Sequence, residues 1–259
     1  MKLGICVRHD MGRGWVIKNS RMLVAFLKKF KKIDFFELHC QYPIPLNLMD
    51  DIDRLKKYIR KKDLKVGLNF PIKWHDRWKM RKSFDEVQDT ILNFAREVNA
   101  DYVNIHPESL AYFTEKEAKK DIMKSLLDLK NKTDAKILVM NGHSVFQTPE
   151  DMNFFAKEGV NMCLDVCHIF QGGMEYNKFR EQLHEFKDKI ELFRISDFGE
   201  RPHMQLGFGK IPYSKIMRNV RQFEPSLVVD TLLSVENELI LRNPKLSIEK
   251  SIEYLKNNC

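Results

Sequence analysis

Residues 161–173, NMCLDVCHIFQGG, decide how the rest of the chain is read. Residues 162–166 form a short apolar run of strand length with Asp165 near its end, and the loop beyond carries His168. A carboxylate at a strand end and an imidazole just past it can face one mouth. Barrel enzymes assemble metal and acid/base sites in this way. The same residues also read as a buried strand whose Asp is satisfied by neighbours and whose His caps the next helix. The pattern is short, so the flanking sequence has to choose between the two.

Working outward, apolar runs of strand length recur at 3–7 (LGICV), 34–40 (DFFELHC), 64–70 (LKVGLNF), 101–106 (DYVNIH), 135–140 (AKILVM), 190–196 (IELFRIS) and 227–230 (LVVD). Segments with helical periodicity separate them. One opens at Ser20 in NSRMLVAFLKKF, and others cover 50–62, 83–98, 114–130, 150–158, 177–187, 212–223 and 247–257. Ser83 and Glu86 have capping-box spacing. Strands that alternate with helices predict a parallel sheet, and helix-length connections exclude an antiparallel one. Eight such units in 259 residues predict an α/β chain, a closed (β/α)8 TIM barrel covering 1–259 as one domain. Residues 231–243, TLLSVENELILRN, read as helix, loop or a displaced last strand, so the segment of 227–241 that forms the eighth strand stays open.

Composition narrows the class. Hydrophobic residues make up 43% and charged residues 31%, which fits a globular chain with ample core and not a disordered one. No run approaches the roughly 18 apolar residues of a membrane span. The opening MKLGICVRHD enters a strand without a signal-peptide core. The cysteines are Cys6, Cys40, Cys163, Cys167 and Cys259, odd in number and without a CxxC, so reduced thiols and a cytoplasmic protein are expected. The net charge of +8 favours anionic partners such as nucleic acid, phosphates or acidic lipid. Much of it has a plainer use. Lys28, Lys29, Lys31, Lys32, Lys56, Lys57, Lys61 and Lys62 fall on expected helix ends and outer faces, where they serve solubility and the helix dipole.

In a barrel, function sits at the C-terminal strand ends. Side-chain alternation brings Arg8, Glu37 or His39, Asn69, His106, Met140, Asp165, Arg194 and Asp230 toward that mouth. The long loops add His143, His168, Arg201 and His203. Polar residues at the ends of apolar strands are costly in a core, so their convergence argues for a site. Residues 73–82, KWHDRWKMRK, interleave Trp74 and Trp78 with Arg77, Lys79, Arg81 and Lys82. Aromatics stack on bases and cations hold phosphate. The plainer alternative is a surface loop whose tryptophans pack on the barrel rim. The expected substrate-binding set is Arg8, Asn69, Trp74, Arg77, Trp78 and Arg201.

Three segments carry a family resemblance: VNIHPESL, GVNMCLDVCHIFQGG and RPHMQLGFGK. With them the chain resembles the xylose isomerase-like TIM barrels, and within these endonuclease IV, the family 2 abasic-site endonucleases of DNA repair. The resemblance implies zinc ligands at His106, Asp165, His168 and His203, with Asp230 where the family has Glu. The departures are as informative. Asn69 stands in place of a His, Met140 of a bridging Glu, Arg194 of a His, and Arg201 of an Asp. A three-zinc cluster cannot be built from what remains. Fewer than three divalent ions, zinc or manganese, or none, are expected, held toward His168 and His203 with Asp165 nearby. Arg194 is expected to fill the central metal position by pairing with Asp165, Asp230 or both.

The resemblance thus implies a divergent, metal-dependent phosphoesterase. Its substrate would bear phosphate: a phosphodiester, abasic nucleic acid or a phosphorylated sugar. Asp165, His106, Arg194 and Asp230 are the candidate catalytic groups. One alternative is a sugar isomerase or epimerase, which would need two Glu as acid and base. Met140 cannot take a proton and Arg194 cannot ligate a metal. The other is a metal-free binding protein on a degenerate barrel. Oligomeric state is not legible.

Overall fold

The computed structural model describes residues 2–8, 17, 19–39, 49–70, 84–106, 115–142, 146–199, 202–231 and 244–258. Eight strands pair in parallel and in sequence order, and the last pairs with the first to close a barrel. They are β1 Lys2–Arg8, β2 Phe35–His39, β3 Lys65–Phe70, β4 Tyr102–Ile105, β5 Lys136–Met140, β6 Asn161–Asp165, β7 Ile190–Ile195 and β8 Ser226–Val229. The helices among the described residues are α1 Ser20–Leu27, α2 Ile52–Lys62, α3 Phe84–Val98, α4 Glu115–Lys132, α5 Pro149–Lys157, α6 Val166–Gln171, α7 Tyr176–Phe186, α8 Tyr213–Val220 and α9 Pro244–Asn258. No described helix is long and apolar enough to cross a membrane.

Local chemistry sets where helices stop. Asp63, Asn99 and Gly159 adopt φ of 51°, 52° and 81° just past α2, α3 and α5. A left-handed residue there ends a helix and turns the chain back, and β3, β4 and β6 begin within three residues. At the other end of α5, Thr148 and Asp151 exchange hydrogen bonds in a capping box with Pro149 at the first turn. The capping box expected at Ser83 lies outside the described residues.

Alternation along the strands builds two cores. Ile5, Val7, Leu38, Leu68 and Phe193 face outward and are buried against the helices. Cys6, Phe35, Tyr102, Leu138, Met140, Cys163, Leu192 and Val228 fill the barrel itself. Phe35 and Tyr102 meet edge to face at 6.2 Å across its floor. A Cβ at Gly4 would overlap the Phe35 ring, and one at Gly67 would overlap Tyr102, so these two glycines make room for the rings.

One expectation needs correction, and one left open is decided. Strand β6, expected to run to Val166, ends at Asp165, and Val166 starts α6, so His168 is helical and not in a loop. The Asp165 side chain accepts the His168 backbone N–H and turns the chain at once. The eighth strand begins at Ser226, and residues 232–243 lie outside the description. Cys6, Cys163 and Cys167 are buried free thiols, as expected; Cys40 and Cys259 lie outside the described residues.

Candidate metal centre

The centre starts with Asn141, the residue after β5. Its Oδ1 accepts the Asp165 N–H at 2.6 Å, and its Nδ2 donates to the Asp165 carbonyl at 3.0 Å and the Gln147 carbonyl at 3.2 Å. A side chain thus continues the β5–β6 ladder past the end of β5 and fixes Asp165 at the mouth. Asp165 Oδ1 caps α6 through the His168 N–H at 3.2 Å. One helical turn later, His168 Nε2 lies 4.0 Å from Asp165 Oδ2.

His203 arrives from the long loop after β7, and Asp197 shapes that loop. Asp197 Oδ1 accepts the Phe198 and Ile211 N–H groups at 2.9 and 3.2 Å, and Oδ2 accepts that of Gly207 at 2.9 Å. Main-chain bonds of 2.8 and 2.9 Å tie Asp197 to Met204. His203 takes a left-handed φ of 59°, costly for a residue with a Cβ, and its N–H donates to Cys167 Sγ at 3.2 Å. The outcome is a contact of 3.0 Å between His168 Nε2 and His203 Nε2. Asp165, His168 and His203 are all buried, and their ligand atoms lie within 4.8 Å of one another.

Partners assign the tautomers. His168 Nδ1 faces the Asn141 carbonyl at 3.5 Å, which can only accept. His203 Nδ1 lies 3.1 Å from Ser196 Oγ, a hydroxyl that can donate or accept, and 3.4 Å from Asp230 Oδ2, a carboxylate oxygen that only accepts and so favours Nδ1–H. With Nδ1–H on both rings, each facing Nε2 presents a lone pair. Two lone pairs 3.0 Å apart repel unless they share a cation, either a proton or a metal ion. The donor set of two imidazoles and one carboxylate suits zinc and manganese.

Beside this triad, Arg194 is 1% exposed and engaged in ion pairs. Nη1 donates to Glu37 Oε1 and Nη2 to Asp230 Oδ2. Nη2 also lies 3.6 Å from Cys6 Sγ, and Nε lies 3.7 Å from Asp165 Oδ2. Asn104 Nδ2 donates to the second Glu37 oxygen. Burial opposes the arginine's charge, but Asp230 and Glu37 hold it further above its ordinary range. Burial raises Glu37 above the usual carboxylate range against the pull of Arg194. Burial would raise Asp165 too, but its neighbours, Arg194 among them, outweigh it and hold that carboxyl low.

The expected partner Asp230 is a direct one. Asp165 is only at the edge, and the second direct partner is Glu37, on β2. The arginine reaches past β8 and β1 to find it. His106 follows β4, half-buried, with its ring 6.4 Å from that of His168, and so stands beside the triad and not in it. Asn69 is the next-to-last residue of β3, with its Nδ2 4.0 Å from Met140 Sδ. Arg8 ends β1 in register with His39, but its side chain lies outside the description. Trp74, Arg77, Trp78, Arg201, His143 and the rest of 73–82 also lie outside the described residues. Of the alternatives Glu37 and His39, Glu37 is the one that pairs with Arg194, and Asn141, Ser196 and Asp197 carry structural weight that the sequence did not assign them. The available signal was an Asn directly past a strand end, and an Asp directly before a glycine-containing loop.

A closed parallel barrel with two imidazoles and a carboxylate at its C-terminal mouth defines a metal-capable TIM barrel. The chain belongs to the xylose isomerase-like TIM barrel family, whose model matches residues 24–258. A probable endonuclease 4 from Aquifex aeolicus is 30% identical over 111 residues, 39% of this chain and 39% of that relative, so the match spans about two fifths of each. Among solved structures, a 3-keto-D-glucoside 4-epimerase from E. coli superposes with a TM-score of 0.72 at 16% identity, covering 99% of both chains. Endonuclease IV from Thermus thermophilus gives 0.67 at 14% identity, covering 98% of this chain and 100% of that one. At such identities these two likenesses speak for the fold alone.

Proposed function

We propose that the chain is a metal-dependent phosphoesterase that holds one divalent ion, zinc or manganese, on Asp165, His168 and His203. Its substrate bears phosphate, either in nucleic acid or on a sugar. The observation that carries this reading is the facing Nε2 pair at 3.0 Å with both Nδ1 atoms turned to acceptors. Charge supports it: Asp165 and Asp230 outnumber the one guanidinium that touches them. When bound, such an ion would polarise a phosphoester and lower the pKa of a water.

The chain's own groups divide the remaining work. Asn141 orients Asp165, and the Asn141 carbonyl and Asp230 keep the two rings in the ligating tautomer. Arg194 occupies Glu37 and Asp230, which removes them as ligands for further ions. His106, beside the triad, is the group assigned to pass a proton to the leaving oxygen. Isomerisation fits less well. With Met140 apolar and Glu37 and Asp230 both held by Arg194, the described mouth keeps no second carboxylate for an acid/base pair. The local match to the Aquifex relative also favours phosphoester chemistry.

The test is metal analysis of the purified protein, then zinc and manganese titration of chelator-treated protein. Hydrolysis of bis(4-nitrophenyl) phosphate and of an abasic-site oligonucleotide follows. One ion per chain and metal-dependent cleavage, both lost in His168→Ala and His203→Ala, are expected. No uptake would turn the reading to a metal-free binding protein. Uptake with sugar epimerisation and no cleavage would turn it to the isomerase alternative. Cleavage of the oligonucleotide that weakens in Arg77→Ala and Lys79→Ala, with a shallower salt dependence, would assign residues 73–82 to nucleic acid.

A further inference from the structure

Three buried asparagines ring this mouth, and the fold uses only two. Asn141 is satisfied on both sides by main chain around Asp165. Asn104 donates to the Glu37 carboxylate, a strong acceptor, although its Oδ1 is unmet. Asn69, fully buried near the end of β3, has its Nδ2 against the thioether of Met140, a weak acceptor, and no hydrogen-bond partner for Oδ1. Exchanging the amide's oxygen and nitrogen would set Oδ1 against the sulfur, acceptor on acceptor, and leave the two N–H donors unmet, so Nδ2 belongs on the sulfur and Oδ1 is the open atom. A leucine would fit that pocket at lower cost than an amide, because an unmet buried polar group loses its hydration for no return. A deficit at both ends of one amide, at a barrel's functional end, points to a ligand.

The ligand's chemistry follows from the open atom. With Nδ2 turned to sulfur, Oδ1 needs a donor. A fully ionised phosphoester group offers only acceptor oxygens and is repelled by Oδ1, whereas a sugar hydroxyl donates. The place fits as well. Asn69 touches β5 through Met140, on the β3–β5 side of the mouth, while Asp165, His168 and His203 come from the β6–β7 side. We propose that Asn69 is a specificity-determining residue whose Oδ1 accepts a hydroxyl of a sugar, so that the substrate is a sugar phosphoester with its phosphate toward the triad. The phosphate half rests on the phosphoesterase reading; the sugar half rests on Asn69 alone.

Titration calorimetry of zinc-loaded protein with D-ribose 5-phosphate, D-ribose and inorganic phosphate tests this, together with the melting temperature of the unliganded protein. The wild type binds D-ribose 5-phosphate more tightly than phosphate, and Asn69→Leu loses that gain, roughly tenfold for one neutral hydrogen bond. Asn69→Leu also melts higher than the wild type, since it removes a polar deficit that only function explains. A variant that melts lower or fails to fold, or that keeps the full sugar gain, overturns the proposal, because Asn69 then serves packing or a bound water. So does a wild type with no preference for the sugar phosphate. An Asn69-dependent gain without any phosphoester cleavage sinks the phosphoesterase reading and leaves the subsite standing. Cleavage without that gain does the reverse.

Discussion

Two polar clusters share one mouth and touch each other, with Asp230 Oδ2 3.4 Å from His203 Nδ1 and Arg194 Nε 3.7 Å from Asp165 Oδ2. One is closed and the other open. Arg194, Glu37 and Asp230 bring their own cation, and both terminal guanidinium nitrogens donate to carboxylates, with Nε left 3.7 Å from Asp165 Oδ2. Asp165, His168 and His203 bring three acceptor atoms toward one another and no fixed cation among them. Burial is the same in both, so burial alone does not mark a binding site. The unmatched chemistry does, and it is read by asking which atoms remain acceptors after every partner is assigned.

The strongest way to break this contrast is to open the closed cluster. Arg194→Met keeps bulk but strands two buried carboxylates. We expect a loss of about 3–5 kcal/mol at neutral pH in denaturant unfolding, the range for a broken buried pair. The pH dependence has a definite sign. Glu37 titrates above its ordinary value of 4.5 in the folded protein, so its protonated form favours the fold. That contribution is complete below 4.5 and fades as pH rises through the folded value. Removing Arg194 raises the folded value further, so the penalty should shrink on acidification toward 4.5. A penalty that is flat with pH would mean that Arg194 stabilises by packing and not by closing charge.

Filling the open cluster should have the next largest effect. Zinc at a hundred times its dissociation constant adds about 2.7 kcal/mol to unfolding stability. The gain should vanish in His168→Ala and His203→Ala and survive in Lys136→Ala. The double variant Arg194→His with Met140→Glu converts the closed cluster into ligands. Metal analysis should then find more than the single ion of the parent. An unchanged count would show that the second position is closed by geometry and not by charge.

The sequence disclosed the barrel because its signals are local. Strand-length apolar runs, helical periodicity and turn residues such as Gly159 each act within a few positions. Strand-end convergence placed Asp165, His168 and His203 at one mouth among a longer list of polar residues, and the family resemblance singled them out together with His106. The partners of Arg194 were less legible. Asp230 directly follows the neighbouring strand, but Glu37 is reached only because an arginine side chain can span two intervening strands. Asn141 and Asp197 were missed for a related reason. Each binds main-chain groups that come within reach only after a loop has closed.

The smallest effect separates ion pairing from burial, at the barrel's opposite end. Lys136 Nζ donates to Glu191 Oε2 at 2.6 Å, and Glu191 Oε1 accepts from Asn161 at 2.6 Å. On paper this resembles the Arg194 cluster: one carboxylate and two donors at short range. The difference is solvent, for the Lys136 side chain is 65% exposed and that of Arg194 is 1% exposed. Water screens the first pair and replaces it when it breaks. Lys136→Ala should therefore cost no more than about 1 kcal/mol, and less as salt rises past a Debye length of roughly 8 Å. The Arg194→Met penalty should barely respond to salt, because no mobile ion reaches its carboxylates. Unfolding of both variants in low and high potassium chloride checks this. If both penalties fall together with salt, the Arg194 cluster is wetter than its burial implies, and the distinction between closed and open clusters loses its physical basis. If only the Lys136 penalty falls, the closed cluster is dry. The contrast then stands between a cluster that carries its own cation and a neighbouring pair of facing imidazole nitrogens that needs a shared proton or metal ion.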